Sequence, residues 1–468
     1  MPKKVKNVIQ IGNPILRQKA KSVFKIGPKE KAITLKMRQI LKETQGIGLA
    51  APQIGKSLKI ILVGTENKKD QKELGLKFYV LINPKIISKS KETEPLEEGC
   101  LSFQKPEIRG LVERSIKTEV KALDENGKKI TLKTKNMLAR SILHEIDHLN
   151  GILFTDRAIP RSIHEVKPSE KAKRKKIMES VKFYFLSSSQ FGAEVLKNLK
   201  PDLLKKITLI TFKDRPAGRG LELKANPAKI EAQKLNLKIK EIEGKNDAIK
   251  LLAKTNYDLA IVAGIALILP PETLICPKNK LKNIGLHPSL LPDLRGSSPI
   301  QTAILKGKNE TGISLFQLEK KIDAGKIIIQ RKLPIKNIDT AKVLEEKLAR
   351  LGAEVLNLNI KFYLQKRLLA QPQKGKVTET HLFKKEEGNM TKNSAKEIWQ
   401  KFKAFCTWPG VYFKINGKII KITDLELKEG KISIKKVIPE GKKEMTFKQF
   451  LTGYELPLDL KNKIVYPS

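Results

Sequence analysis

The run ARSILHEIDHL holds two of the chain's five histidines, His144 and His148, with Glu145 directly after the first. If the run is helical, the two imidazoles share one face a turn apart, which is the spacing that lets them grip one metal ion. Glu145 then points near the ion's open position, where it can take a proton from water. This is the outline of a hydrolytic metal site.

The third ligand decides which kind. The peptidase pattern HExxHxxGxxH keeps its glycine at Gly151 but has Phe154 in place of the last histidine. A downstream glutamate would have to be Glu165, Glu170 or Glu179, all in a Lys-rich stretch that reads as linker. Upstream, EEGCLS offers Cys100, and GIGLAAPQ offers Gln53 after a Gly-rich turn. Cys100, His144 and His148 make three protein ligands and leave one position open, as catalytic ions require. Singly, a Cys is more often a small buried hydrophobe. Asp147 reads as a supporting or solvated carboxylate rather than a ligand.

In order and spacing these strings, with NPILR near the start, resemble peptide deformylase over residues 1–165. The resemblance implies an α+β metallohydrolase domain that removes the formyl group from N-formylmethionyl nascent peptides at the ribosome. It implies Glu145 as proton shuttle, with the backbone N–H of Leu101 and the side-chain amide of Gln53 as donors to the oxyanion. Arg109 matches a contact to the peptide backbone. A Cys and two His accept Fe2+, Zn2+, Ni2+ or Co2+; the resemblance favours iron.

At 468 residues the chain is too long for one core. The stretch 166–180, with KPSEKAKRKK at its centre, reads as a charged linker. After it, VKFYFLSSS, KITLITF and DLAIVAGIALIL alternate with helical patterns such as FGAEVLKNL and PAKIEAQKL, which predicts a parallel, doubly wound sheet with ligands beyond its C-terminal strand ends. From Asn389 a helix and then short alternating strands, with turns at Asn416-Gly417 and Glu429-Gly430, predict a small antiparallel barrel.

The strings DRPAGRG (Asp214–Gly220), HPSLLPDLRGSSPIQ (His287–Gln301), the IDAG around Asp323 and AFCTWPGVYF resemble the methionyl-tRNA formyltransferase family from residue 181 to the end. That resemblance implies an α/β Rossmann-like formyltransferase domain over 181–385 and an OB-like tRNA-binding barrel over 386–468. Formyl would pass from 10-formyltetrahydrofolate to the amine of initiator methionyl-tRNA. His287 would contact the oxyanion and Asp323 would orient it or relay protons, with Ser289, Leu290, Leu291 and Pro292 flanking the folate. Arg219 belongs to a loop expected to enter the tRNA acceptor stem, and Trp408 is expected to be a core anchor.

Four positions depart from that family. Ser187 and Ser188 replace Gly-Thr, Lys326 replaces an acid, and Gly285 stands where an Asn is placed two residues before the histidine. An Asn side chain there is expected to project toward the formyl oxygen. Gly285 either leaves room for water or another donor, or weakens the transferase. Asn283 sits on the same strand face about 7 Å further back. The leading expectation is a bifunctional enzyme of translation initiation; the alternative is a deformylase fused to an inactive transferase that binds tRNA or the ribosome.

The remaining composition is compatible with both. Three cysteines cannot make a disulfide framework, so a reducing cytoplasm is the expected setting. The N-terminal MPKKVKNVIQIGNPIL is interrupted by Asn7, Gln10 and Asn13 and does not read as a secretory signal. LAIVAGIALILP is too short to cross a bilayer, so no membrane partner is expected. The formal net charge of +44 is spread along the whole chain, and Lys outnumbers Arg so heavily that a general Lys bias explains much of it. The charge is compatible with tRNA, and DNA is not an expected partner.

Overall fold

The computed structural model describes residues 8–44, 46–68, 71, 75–104, 106–159, 162–166, 181–217, 222–366, 368–456 and 458–465. The chain divides into two compact units, Met1–Glu179 with Lys361–Leu369, and Ser180–Ile360 with Ala370–Ser468. All of the expected linker except Val166 lies outside the described residues.

In the first unit, helix α1 (Pro28–Thr44) opens with Pro28, and the Glu30 carboxylate accepts from Gly27 N–H at 2.9 Å. Its Met37, Ile40 and Leu41 recur at helical spacing and are buried. One sheet has the order β1 (Gly48–Ala50), β2 (Ile60–Val63), β3 (Tyr79–Lys89), β6 (Lys117–Leu123), β7 (Lys129–Lys135). A second joins β4 (Thr93–Gln104), β5 (Glu107–Ser115) and β8 (His164–Glu165). Strand β2 is buried on both faces, so its alternation separates two cores. Ile60 and Leu62 pack with α1, whereas Ile61 and Val63 pack with Leu138, Ile142 and Ile146 of helix α2 (Asn136–Leu149).

Helix α2 carries the HExxH run, and from Leu138 to Leu149 its residues are buried. It ends at Asn150, after which Gly151 takes φ +71°. A Cβ there would stand 2.3 Å from the Arg17 carbonyl oxygen. Gly151 is thus explained by backbone approach at the helix end, with no ligand role.

In the second unit a seven-stranded sheet runs β13 (Lys238–Ile242), β10 (Ile207–Phe212), β9 (Phe183–Leu186), β14 (Leu259–Val262), β15 (Ile284–His287), β17 (Glu310–Gln317), β18 (Ile327–Pro334). The first five are parallel, but β17 pairs antiparallel with both β15 and β18. The expected all-parallel sheet therefore gains an antiparallel edge. Only a short connection separates β17 from β18, too little for the crossover that a parallel pair needs. Helices α3 (Gln190–Lys197) and α4 (Pro227–Lys234) begin at Ser189 and Asn226, whose side chains each accept an N–H of the first turn at 3.1 Å. Strands β11 (Arg215–Ala217) and β12 (Glu222–Lys224) form a hairpin whose tip, with Arg219, lies outside the described residues. Strand β16 (Arg295–Gly296) pairs in parallel with β19 (Glu379–Thr380).

Beyond β19 come helix α5 (Ala395–Ala404) and an antiparallel sheet of β20 (Val411–Ile415), β21 (Lys418–Lys428), β22 (Lys431–Pro439) and β23 (Met445–Thr446), in that order. Among the described residues no ladder joins β20 to β23 to close a barrel. Trp408 is not the core anchor expected of it: it is 55% exposed. Phe405, Phe413, Phe447 and Phe450, each at most 1% exposed, already fill that interior. Among the described residues no helix is long and apolar enough to cross a membrane.

Candidate active sites

The first site joins α2 to the irregular end of β4. Strand β4 pairs with β5 as far as Gly99 opposite Arg109, then shifts register and resumes at Gln104. Cys100 and Leu101 fall inside that break, so the Leu101 N–H is released from the β5 register and Cys100 can turn toward α2. The ligand atoms of Cys100, His144 and His148 all lie within 4.8 Å of one another. Divalent ions sit about 2.0 to 2.3 Å from N and S ligands, so tetrahedral ligands stand roughly 3.5 Å apart and the trio fits one ion with little closure. Cys100 Sγ is already 3.2 Å from His148 Nε2.

Two buried atoms support that fit. Glu145 Oε2 and His148 Nδ1 have no hydrogen-bond partner among the described residues. Burial pushes the Glu145 carboxyl up to about 7, against the pull of His144 and Arg114. Burial, and then the charges of His144 and Arg114, hold the His148 imidazole well below its usual value and hence neutral, the form that ligates. Gly48 of β1 makes room for the base, since a Cβ there would fall 2.2 Å from Glu145 Oε1.

Gln53 lies in a short 3-10 turn (Ala51–Ile54) and is 1% exposed. Its Oε1 accepts from Ala50 N–H at 2.7 Å, which orients its amide so that Nε2 reaches Cys100 Sγ and Ser102 Oγ, both at 3.3 Å. Its donor is therefore aimed at the ligand cluster. The Arg109 guanidinium lies over Gly99, where a Cβ would meet Cζ at 3.2 Å, and it bonds Glu107 at 2.8 Å.

Sequence reasoning passed over the buried charges behind the ligands. Glu98 Oε2 is 2.9 Å from His144 Nδ1, and its oxygens also accept from Arg114 (2.6 and 2.9 Å) and Arg140 (2.7 Å). Arg114 continues to Asp147 at 2.7 Å, and Asp147 to Arg157 at 2.6 Å. Burial alone would raise the Glu98 carboxyl; the His144 hydrogen bond and Arg114 outweigh it and hold it well below the usual carboxylate range. An ionised carboxylate on Nδ1 leaves His144 Nε2 free for the ion and fixes the ring. The available signal was an acid two residues before Cys100. Glu98→Ala is expected to weaken metal retention about 10- to 100-fold, as measured by competition with a chromogenic chelator.

The second site lies at the C-terminal end of β15. His287 Nε2 is 2.8 Å from the Leu294 carbonyl, and Nδ1 is 3.5 Å from Asp323 Oδ2. That same carboxylate oxygen accepts from Gly296 N–H at 2.8 Å. The loop after His287 is pinned from the sheet. Ser289 Oγ donates to Asp293 O at 2.6 Å, Ser314 Oγ donates to Ser289 O at 2.7 Å, and Gln330 Nε2 donates to Leu291 O at 2.8 Å. Leu291 and Pro292 are buried, while Leu290 leans on Gly312, where a Cβ would fall 2.5 Å from Leu290 Cδ2.

Of the two alternatives at Gly285, room for a water or another donor is not what the structure shows: the space is taken. Gly285 pairs with Phe316 of β17, and a Cβ at Gly285 would stand 2.4 Å from two carbons of that ring and 3.2 Å from Leu318 Cδ2. An Asn there meets an aromatic ring before it can reach any substrate. Asn283 is fully committed elsewhere: it accepts from Ala260 N–H at 2.9 Å and donates to Tyr257 Oη (3.0 Å) and Thr273 O (2.7 Å). Gly285→Asn is therefore expected to cost about 1 to 3 kcal/mol by overpacking, without a gain in activity. Thermal unfolding checks the first half, and in a Phe316→Ala background the added cost of Gly285→Asn should fall.

Residues 5–163 match the polypeptide deformylase family, residues 181–360 the formyl transferase family, and residues 384–431 the formyl transferase C-terminal domain. The methionyl-tRNA formyltransferase of Thermodesulfovibrio yellowstonii is 32% identical over 296 residues, covering 58% of this chain and 96% of that protein. Its counterpart from Bacillus cytotoxicus is 30% identical over 311 residues, covering 60% and 98%. Among solved structures, peptide deformylase from Synechococcus elongatus in complex with actinonin is 40% identical, covers 33% of this chain and 79% of that one, and has a TM-score of 0.30. Peptide deformylase from Thermotoga maritima is 37% identical, with 33% and 97% coverage and a TM-score of 0.30.

Proposed function

The chain belongs to the methionyl-tRNA formyltransferase family and carries a polypeptide deformylase domain ahead of it, and from that premise we propose an enzyme that both adds and removes the formyl group of initiator methionine. The observation that carries the removal reading is the Cys100, His144 and His148 cluster with the unpartnered Glu145 oxygen beside it. Addition is carried by the His287 and Asp323 pair at the end of β15.

For deformylation the substrate is an N-formylmethionyl nascent peptide, met at the ribosome. Cys100, His144 and His148 would hold a divalent ion, Fe2+ in the first instance. That ion would supply Lewis-acid polarisation and a lowered pKa for water. Glu145 takes the proton of the attacking water and passes it to the amine nitrogen as the C–N bond breaks, so formate and a free amino terminus leave. Gln53 Nε2 and the Leu101 N–H donate to the oxyanion, and Arg109 binds the peptide backbone.

For transfer the substrates are 10-formyltetrahydrofolate and initiator methionyl-tRNA. The methionyl amine attacks the formyl carbon, the bond from that carbon to the folate nitrogen breaks, and the proton lost by the amine returns to that nitrogen. His287 donates to the oxyanion by turning its Nε2 N–H from the Leu294 carbonyl to the substrate, and Asp323 orients it and relays the proton, while Ser289, Leu290, Leu291 and Pro292 flank the folate. Because Ser289 Oγ is spent on Asp293, that loop offers backbone groups and apolar surface rather than a hydroxyl. Arg219 meets the tRNA acceptor stem. An OB-like reading of 386–468 is supported by the antiparallel order and by the register shifts of β21 around Asp424, which bend a strand as barrels require. Independent domains at 1–165, 181–385 and 386–468, and a cytoplasmic setting, complete the reading.

One observation favours a second reading. Phe316 fills the place where an amide donor was expected, which suits a transferase fold kept as a tRNA or ribosome binding module. Purified chain with initiator methionyl-tRNA and 10-formyltetrahydrofolate separates the two. Formylmethionyl-tRNA should accumulate, and the same preparation should deformylate a formyl-Met peptide until a chelator is added. Tight tRNA binding without transfer would leave the module reading standing.

A further inference from the structure

Between the end of the Rossmann-like region and α5, residues 371–380 lie across the two loops that bear the second site. Gln371 opens the segment by exchanging two backbone hydrogen bonds with Ile327, each 2.7 Å. The segment closes as β19 beside β16. Arg295 N–H donates to Thr378 O at 2.9 Å, Thr380 Oγ1 donates to Arg295 O at 3.0 Å, and Leu294 N–H donates to Thr378 Oγ1 at 2.8 Å. The stretch so clamped, Leu294–Gly296, provides the carbonyl on His287 Nε2 and the N–H on the Asp323 carboxylate.

Gln373 ties the other loop to the first. Its Nε2 donates to the carbonyls of Asp323 (2.7 Å) and Gly325 (2.8 Å), and its Oε1 accepts from Arg295 Nε (3.2 Å) and Nη2 (2.6 Å). Both donors of the amide and its carbonyl oxygen are thus in use. Asp323 needs such support. Its φ of +51° is a sparsely populated conformation for a residue with a Cβ, and it persists only where the surroundings over-determine it. Arg295 is 8% exposed, so its guanidinium is planted in the protein with an amide for a partner.

We infer that Gln373 and Arg295 are positioning residues for formyl transfer, and that residues 371–380 act as a strap setting Asp323 against His287. This rests on the reading of His287 and Asp323 as catalytic groups. Neither Gln373 nor Arg295 touches the imidazole or the carboxylate; they act by holding the two loops in register.

The test uses the full chain. Gln373→Glu keeps the shape and can still accept from Arg295, but it cannot donate to the two carbonyls. It should lower kcat for formyl transfer on the order of 10- to 100-fold, the scale of a slightly misplaced catalytic group, with KM for both substrates little changed. Amide hydrogen exchange should rise at 294–297, at 323–326 and within 371–380, and stay unchanged elsewhere in the chain. Arg295→Lys, which keeps the charge and loses the fork, should give a smaller loss of the same kind. Deformylation by the same preparations serves as the control and should be unaltered. A wild-type kcat in Gln373→Glu, a loss confined to KM, or a rise in exchange spread over the whole unit would overturn the strap. His287→Ala is assayed alongside: full transfer by that variant would sink the catalytic reading itself, and the inference with it, while an inert His287→Ala beside an unaffected Gln373→Glu would sink the strap alone.

Discussion

Replacing Cys100 by Ala is expected to yield protein that purifies without its metal and without measurable deformylation, while formyl transfer continues at the wild-type rate. Cys100 is the one candidate ligand not carried by α2, and without its sulfur two imidazoles on one face remain to hold the ion. The loss should exceed the roughly 10- to 100-fold typical of residues that merely support a ligand. Glu145→Gln makes the complementary case. It leaves the ligand set intact, so metal content should be retained while turnover collapses. Elemental analysis and a formyl-Met peptide assay on the same preparations decide both, and full metal content in Cys100→Ala would refute the ligand assignment.

His287→Ala is expected to lower formyl transfer by about two to four orders of magnitude, the usual contribution of a positioned acid–base group, with deformylation intact. The residue is 7% exposed and is held from both sides, by the Leu294 carbonyl and the Asp323 carboxylate. Those partners give the ring one orientation. If Phe316 has displaced the only donor the site can use, the wild type will itself be inert and the substitution silent. The pair of measurements therefore also decides between the transferase and the binding module.

The readings that could be made along the chain were those in which chemistry and spacing are local. His144, Glu145 and His148 depend on one turn of helix, and the short apolar, β-branched run ITLITF reads as a strand from its own residues. Trp408 was misplaced because which aromatic rings fill a small core depends on neighbours far along the chain. The antiparallel edge formed by β17 and β18 was missed because an apolar strand looks the same in either direction.

What the sequence by itself determined is the set of reactive groups: a cysteine sulfur and two imidazoles with a carboxylate beside them, and a histidine followed at a distance by an aspartate. Those are properties of residue type and near spacing. Only the tertiary structure decided what surrounds them. Glu98 meets His144, Gln373 meets Asp323, and Phe316 fills the space beside Gly285, each pairing residues dozens of positions apart. Such contacts follow from strand register and loop closure. A shift of one residue in the pairing of β15 with β17 would turn Phe316 to the opposite face and reopen that space, and no local pattern in either strand records which register the packed sheet adopts.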